Sequence, residues 1–222
     1  MSLKEQLNQE KWQLRNAAVK KLGLDKSPEN AQLLTEVLRD KRPSKWWANL
    51  LGEKFHQVGF IRRNAWASLK NQNPENFPLE ELAMASLQDP YYEVQSACLR
   101  TLYHHLRESE ITLSQSLEAR IKARILSGDN FEIRLAAIPF LSFIYEKDEI
   151  QELAAQIVRA RHWRVRGAFL EALCYIVEKG AMKREEVEAL LRPFNMRSEY
   201  FKPIFLLKEQ RAKLDQMLLE KS

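Results

Sequence analysis

Ile61-Arg62-Arg63-Asn64-Ala65-Trp66-Ala67-Ser68-Leu69 decides the reading of the fold, because its pattern returns along the chain. The order is apolar, Arg, any, small, small, apolar, any, any, Leu. It recurs with local variation as Leu14–Leu22 (LRNAAVKKL), Val94–Leu102 (VQSACLRTL), Ile133–Leu141 (IRLAAIPFL) and Val165–Leu173 (VRGAFLEAL). Successive starts lie 47, 33, 39 and 32 residues apart, the span of one helix pair with its connections. The first, fifth, sixth and ninth places are separated by steps of four, one and three. On a helix such places share a face, so each motif reads as a core-facing stripe. Small side chains at its centre (Ala17 and Ala18, Ala65, Ala97 with Cys98, Ala136 with Ala137, Ala168) let neighbouring helices approach, and the terminal Leu fills the next turn. A single pair cannot hide such a stripe and has to stack on its neighbours.

Helix-start signals fall between the motifs. Ser27 before Pro28 predicts a capped helix over 28–39, Thr112 with Gln115 a capping box before 113–126, and Asp148 with Gln151 another before 149–160. Pro78 opens 79–87, and a last pair is expected at 183–192 and 200–219. Turns are expected at Gly23–Lys26, Asn71–Pro74, Asp89-Pro90, Gly128-Asp129-Asn130 and Gly180. With only six Gly in 222 residues and many Leu, Ala, Glu, Lys and Arg, helix is favoured throughout. The expectation is one all-α domain over 1–222, an α-solenoid of about five to six stacked antiparallel helix pairs. It carries an insertion at about 41–60 and a C-terminal capping helix at about 200–219.

Several classes of protein are disfavoured. No apolar run approaches the roughly 18–20 residues that span a bilayer, and Met1–Gln6 lacks the apolar segment of a signal peptide. A cytoplasmic monomer without membrane contact is expected. Cys98 and Cys174 lie in apolar helical stretches with no metal-ligand spacing, which predicts buried thiols. His104-His105 with Glu108 lacks a third ligand, so neither metal nor cofactor is expected. No nucleophile elbow, zinc-protease helix, phosphate loop or dinucleotide fingerprint occurs, which disfavours an enzyme.

Asp89-Pro90-Tyr91-Tyr92-Glu93-Val94 through Leu102, and Val165-Arg166 through Leu173, resemble the second helix of HEAT repeats and the turn before it. The resemblance covers roughly residues 12–220 and implies a fold rather than an activity. It departs from the family pattern in three places. Gln95 stands where arginine is usual, the turn Arg161-His162-Trp163-Arg164 has no aspartate, and the longest interval holds the insertion. The resemblance also implies that the motif arginines Arg15, Arg62, Arg134 and Arg166 pair with aspartates between helices, with Asp89 and Asp129 placed to serve. Arg62 and Arg166 have no aspartate in their own preceding turn, which makes them candidates for an external partner.

Charge is arranged in blocks. Residues 41–70 carry seven cations against Glu53 alone, residues 71–119 carry eight acids against Arg100 and Arg107, and residues 153–170 carry four arginines and no acid. Two stretches therefore combine cations with aromatics. The insertion offers Trp46 and Trp47, which carry roughly 200 Å² of surface apiece and cannot both point the same way on a helix, with Arg62 and Arg63 following. The second stretch is Arg161, His162, Trp163, Arg164 and Arg166, the ingredients for gripping phosphate and stacking a base. The acidic block between the two interrupts any continuous phosphate track. The favoured reading is thus a non-catalytic scaffold or adaptor that binds another protein, its charge blocks setting partner choice. The alternative is a nucleic-acid binder similar to the HEAT-type alkylpurine DNA glycosylases in architecture alone, since the basic aromatic stretch lacks their acidic residue. A HEAT-like lyase or an assembly factor is a third possibility.

Overall fold

The computed structural model describes residues 1–40, 54–109, 111–126, 130–158 and 162–192, leaving aside the side chains of 54–58, 158 and 163. Among them every regular element is helical and there is no strand. In chain order the helices are α1 (Leu3–Leu7), α2 (Trp12–Leu22), α3 (Pro28–Arg39), α4 (Lys54–Leu69), α5 (Leu79–Ser86), α6 (Tyr92–Glu108) and α7 (Gln115–Leu126). They continue with α8 (Phe131–Ala137), α9 (Leu141–Ile144), α10 (Lys147–Val158), α11 (Trp163–Glu178) and α12 (Arg184–Leu191). The expected helix at 200–219 lies outside the described residues. No described helix is long and apolar enough to cross a membrane. The sequence reading takes 1–222 as one domain; the contacts gather into two compact units, Met1–Arg120 and Ile121–Ser222.

In the first unit the three motif helices pack in succession, α2 against α4 and α4 against α6, and α3 packs against α2, α4 and α5. The motif's apolar places form the core. Ala18, Val19, Leu22, Ile61, Ala65, Trp66, Leu69, Val94, Cys98, Leu99 and Leu102 are all buried, and only Leu14 is half-exposed. At roughly 25 cal/mol per Å², burial of rings and branched chains on this scale supplies the main drive for stacking. Trp66, fully buried, has its indole N–H satisfied by Ser86 Oγ at 3.0 Å.

Polar rungs fix the alignment of neighbouring motif helices. At the eighth place, Ser68 Oγ donates to the Val19 carbonyl and Thr101 Oγ1 to the Trp66 carbonyl, both at 2.9 Å. Val19 and Trp66 each hold the sixth place of the preceding motif. Three residues past each motif a second rung repeats the logic. Gln72 Nε2 donates to the Leu22 carbonyl at 3.1 Å, and His105 Nε2 to the Leu69 carbonyl at 3.2 Å. Leu22 and Leu69 both hold the ninth place. A buried polar atom without a partner costs about 1–3 kcal/mol, so a slip of one residue between helices would be penalised at every rung.

The start signals hold in part. Ser27 Oγ accepts the Asn30 N–H and Pro28 occupies the first helical turn, as expected. The expected capping box at Thr112 is displaced, because α7 starts at Gln115 and its cap is Ser114, whose hydroxyl accepts the Leu117 N–H at 3.3 Å. At α10 the helix starts at Lys147, before the expected Asp148 cap, and Glu149 rather than Gln151 reaches back, accepting the Glu146 N–H at 2.9 Å. Residues 54–60, the end of the expected insertion, belong to α4, which runs unbroken into the second motif. Gly59 in that helix faces the Tyr91 ring, 2.5 Å from where a Cβ would sit, so only glycine admits the close approach.

In the second unit α11 packs against α8, α9 and the turn between them, and against α10 and α12. The fourth and fifth motifs therefore lie against each other. The fourth is not one straight helix: α8 ends at Ala137, Ile138–Phe140 is a 3₁₀ turn, and α9 follows. Pro139 accounts for the break, since it has no N–H to give and crowds the carbonyl a turn earlier. Ile133, Ala136, Ala137, Ile138, Phe140, Leu141, Val165, Phe169, Leu170 and Leu173 are buried there. At the end of α11, Gly180 adopts φ +72°, Gly180 N–H bonds the Val177 carbonyl at 2.9 Å and Ala181 N–H the Ile176 carbonyl at 3.1 Å. That is the left-handed helix stop glycine favours. Cys98 and Cys174 are buried thiols outside any disulfide, and burial pushes the Cys98 thiol far up.

Candidate partner-binding surface

The arginines at the second place of the motif turn inward. Arg15 on α2 pairs with Asp40, the residue that ends α3. Arg62 on α4 pairs with Asp89 in the turn after α5, Nε to Oδ2 at 2.8 Å and Nη2 to Oδ1 at 3.1 Å. Both pairs run forward along the chain, from a motif helix to an aspartate just past the helix that follows it. Arg62 Nη1 also donates to the Asp40 carbonyl at 3.4 Å. Gln95, which takes the arginine's place on α6, keeps that half of the arrangement and donates to the Asp89 carbonyl at 2.7 Å. Asp89 Oδ1 further accepts the Tyr91 N–H at 3.0 Å, and the Arg62 guanidinium lies 5.3 Å from the Tyr91 ring centre.

This corrects the expectation that Arg62 is free to meet an external partner. It is 5% exposed, and its carboxylate lies in the following turn rather than in its own preceding one. Arg166 is likewise buried, at 9% exposure, where desolvation lowers its pKa, and its guanidinium is enclosed rather than offered at the surface. Arg134 sends Nε to the Ile125 carbonyl at 2.8 Å. Trp46, Trp47 and Arg161, also candidates for partner contact, lie outside the described residues, as does Asp129. Trp163 opens α11 in the backbone, but its side chain lies outside them too.

Arg63 answers the expectation differently. It is half-buried, its guanidinium lies 4.2 Å from the centre of the Phe60 ring, and Nε and Nη2 reach the side-chain oxygen of Asn64 at 3.3 and 3.2 Å. Phe60 meets Trp12 of α2 edge to face at 6.2 Å, and one turn along each helix Asn64 Nδ2 donates to Asn16 Oδ1 at 2.6 Å. The result is a two-rung patch across α2 and α4 with aromatics on one rung and amides on the other. Neither charge nor motif singles out Trp12, Asn16, Phe60 and Asn64. Their signal in the sequence is an aromatic followed four residues later by Asn, in two successive motif helices.

In the second unit His162 lies flat on Phe131, ring centres 4.3 Å apart at 13°. Arg164 is exposed, 6.0 Å from the Phe131 ring centre, and its Nη1 donates to Glu132 Oε1 at 3.1 Å. Phe131 remains 41% exposed. The expected grouping of His162 and Arg164 thus exists, joined by Phe131, but Glu132 offsets its charge.

Among the described residues no group of three or more His, Cys, Asp or Glu side chains could hold an ion, and His104 and His105 lie against each other with ring centres 5.6 Å apart. Burial lowers the pKa of both rings. Comparison with family models, curated proteins and solved structures returned no match for this chain.

Proposed function

We propose that this chain is a HEAT-like α-solenoid of about five to six helix pairs that serves as a non-catalytic scaffold, holding another protein on the surface of its motif helices. The observation that supports it most is the repeated use of backbone carbonyls to align α2, α4 and α6, with the motif arginines spent on internal pairs. Such construction yields a stiff layer whose outward side chains are left to recognition, the way stacked repeats present long surfaces.

Solution scattering and capture test it together. A compact globule of this length has a radius of gyration of about 17 Å, and a solenoid must exceed that clearly. Cross-linking followed by mass spectrometry of the native complex must then place a defined partner on α2, α4 or α6. A compact particle, or cross-links scattered without preference, would defeat the proposal.

A second reading, nucleic-acid binding, draws on the Phe131–His162 stack beside Arg164. Burial of Arg62 and Arg166 and the pairing of Arg164 with Glu132 weigh against it. It requires retention of an oligonucleotide that fades steeply with salt.

A further inference from the structure

We infer that the α2–α4 patch around Trp12, Phe60 and Arg63 is a docking point for an acidic segment of the partner protein; this rests on the scaffold reading and names the chemistry of its ligand. Donors outnumber acceptors at this patch. Arginine only donates, so the oxygen of Asn64 must face Arg63 and its amide nitrogen must face Asn16. Asn16 then accepts through its oxygen, which leaves its own amide N–H groups directed elsewhere. Among the described residues Arg63 has no carboxylate partner: Nε and Nη2 are engaged by a neutral amide, and Nη1 makes no hydrogen bond. The Trp12 indole N–H makes none to them either, in contrast to the satisfied Trp66. The unspent hydrogen-bonding capacity at the patch is therefore mostly donor, with one lone pair of the Asn16 oxygen as the exception. One turn beyond Asn16 on the same stripe of α2, exposed Lys20 adds a positive charge with no acid among the described residues bonded to it.

A surface of donors and cations set among half-buried rings is complementary to an acceptor-rich, anionic and partly apolar ligand. Stacking on Phe60 holds the Arg63 plane and leaves its outer edge as a fork for a carboxylate. Trp12 and Phe60 offer ring surface to an apolar neighbour of that carboxylate. The surrounding sequence has the same sign, with seven cations against one acid over residues 41–70, which favours encounter with an acidic chain. The rings of Trp12 and Phe60 do not face one another as parallel plates, 89° apart, so a nucleobase finds no stacking slot there.

The test uses the full chain and a fluorescein-labelled peptide of alternating Glu and Leu, with a Gln-Leu version as its neutral control. Anisotropy should show binding of the Glu peptide and at least about tenfold weaker binding of the control. Arg63→Glu should weaken the Glu peptide by about tenfold or more, and Trp12→Ala by severalfold. Arg63→Lys should fall between, keeping charge but losing fork and stacking. Lys179→Glu, an exposed charge reversal in the other unit, should bind as wild type. Thermal melts of Arg63→Glu, Arg63→Lys and Lys179→Glu should match wild type, while Trp12→Ala, which loses its contact with Phe60, should melt somewhat lower and stay folded at the temperature of the assay.

Failure of the Glu peptide to bind, equal binding by Arg63→Glu, or displacement by oligothymidylate at lower concentration than by unlabelled peptide would each overturn the inference, the last in favour of nucleic acid. A photocross-linking p-benzoylphenylalanine at exposed Ala67, on the same face one turn past Arg63, separates this from the scaffold reading. Adducts on acidic segments of the partner support both. Adducts on neutral or basic segments sink the acidic ligand while the scaffold stands, and no adduct together with no partner on any motif helix sinks both.

Discussion

Asp89→Ala is the sharpest test of the internal pairing. The Arg62–Asp89 fork is bidentate, and its side chains are 6% and 8% exposed. Removing the carboxylate leaves a guanidinium out of water with, among the described residues, the Asp40 carbonyl and the Tyr91 ring beside it. Breaking a buried pair from one side costs about 3–5 kcal/mol. For a unit of this size that is a fall in melting temperature of roughly 10–20 °C. Arg62→Met should cost less, because the stranded Asp89 keeps its bond from the Tyr91 N–H. The double variant Arg62→Met/Asp89→Ala should recover most of the loss, since a buried pair replaced by apolar groups is often neutral. For comparison, Arg39→Ala, which breaks the exposed pair with Glu81, should cost no more than about 1 kcal/mol. Urea unfolding followed by circular dichroism gives all four values. A cost below about 1 kcal/mol for Asp89→Ala, or a double variant no more stable than Asp89→Ala, would refute the reasoning.

Three further outcomes are expected. Burial holds the pKa of His105 below the ordinary 6.5 while the Leu69 bond opposes and His104, Lys26 and Lys70 assist, so the ring that donates Nε2–H to the Leu69 carbonyl is the neutral one. Its contribution is full above about pH 6.5 and is lost as pH falls toward the folded value; His105→Gln, which copies the rung made by Gln72, should keep the hydrogen bond and flatten the acid limb of a melting-temperature profile, and an unchanged limb would refute it. Thr101→Val should remove one rung at a cost of about 0.5–1.5 kcal/mol in urea unfolding, with Ser68→Ala similar; no loss in either would deny the rungs a role. Gly180→Ala should cost about 1–2 kcal/mol, because a Cβ is strained at φ +72° although nothing lies within 4 Å, and Gly180→Asn should cost less.

The repeat and its core are legible because a helical face imposes a period that survives substitution. Ile61, Ala65, Trp66 and Leu69 are buried as their spacing requires, and Ser27 caps α3 because a hydroxyl before proline has few other uses. What is not legible depends on neighbours far along the chain. Arg15 finds Asp40 and Arg62 finds Asp89, 25 and 27 residues onward, so a search of each arginine's own preceding turn looks the wrong way. Thr112 and Ser114 are equally good caps by type, and the chain's entry into α7 selects the second. At the candidate surface, Arg63 stands out by charge, but Trp12 and Asn16 gain meaning only when α4 brings Phe60 and Asn64 beside them.

The rungs also explain why the repeat is so degenerate in sequence. Each sends a side-chain donor to a backbone carbonyl, at Val19 and Trp66 from the eighth place and at Leu22 and Leu69 from beyond the ninth. A carbonyl is the same whatever side chain its residue carries, so the accepting half of every rung leaves no trace in the sequence. The donating half needs only reach and one proton, which Ser and Thr supply at one place and Gln and neutral His at the other. Gln95 extends the rule to the arginine position, where it drops the carboxylate and keeps the carbonyl of Asp89. Alignment of these helices is therefore a property of backbone geometry that chemically unlike residues satisfy equally. The side chains free to carry identity are those the rungs do not use, and on α2 and α4 these include Trp12, Lys20, Phe60 and Arg63.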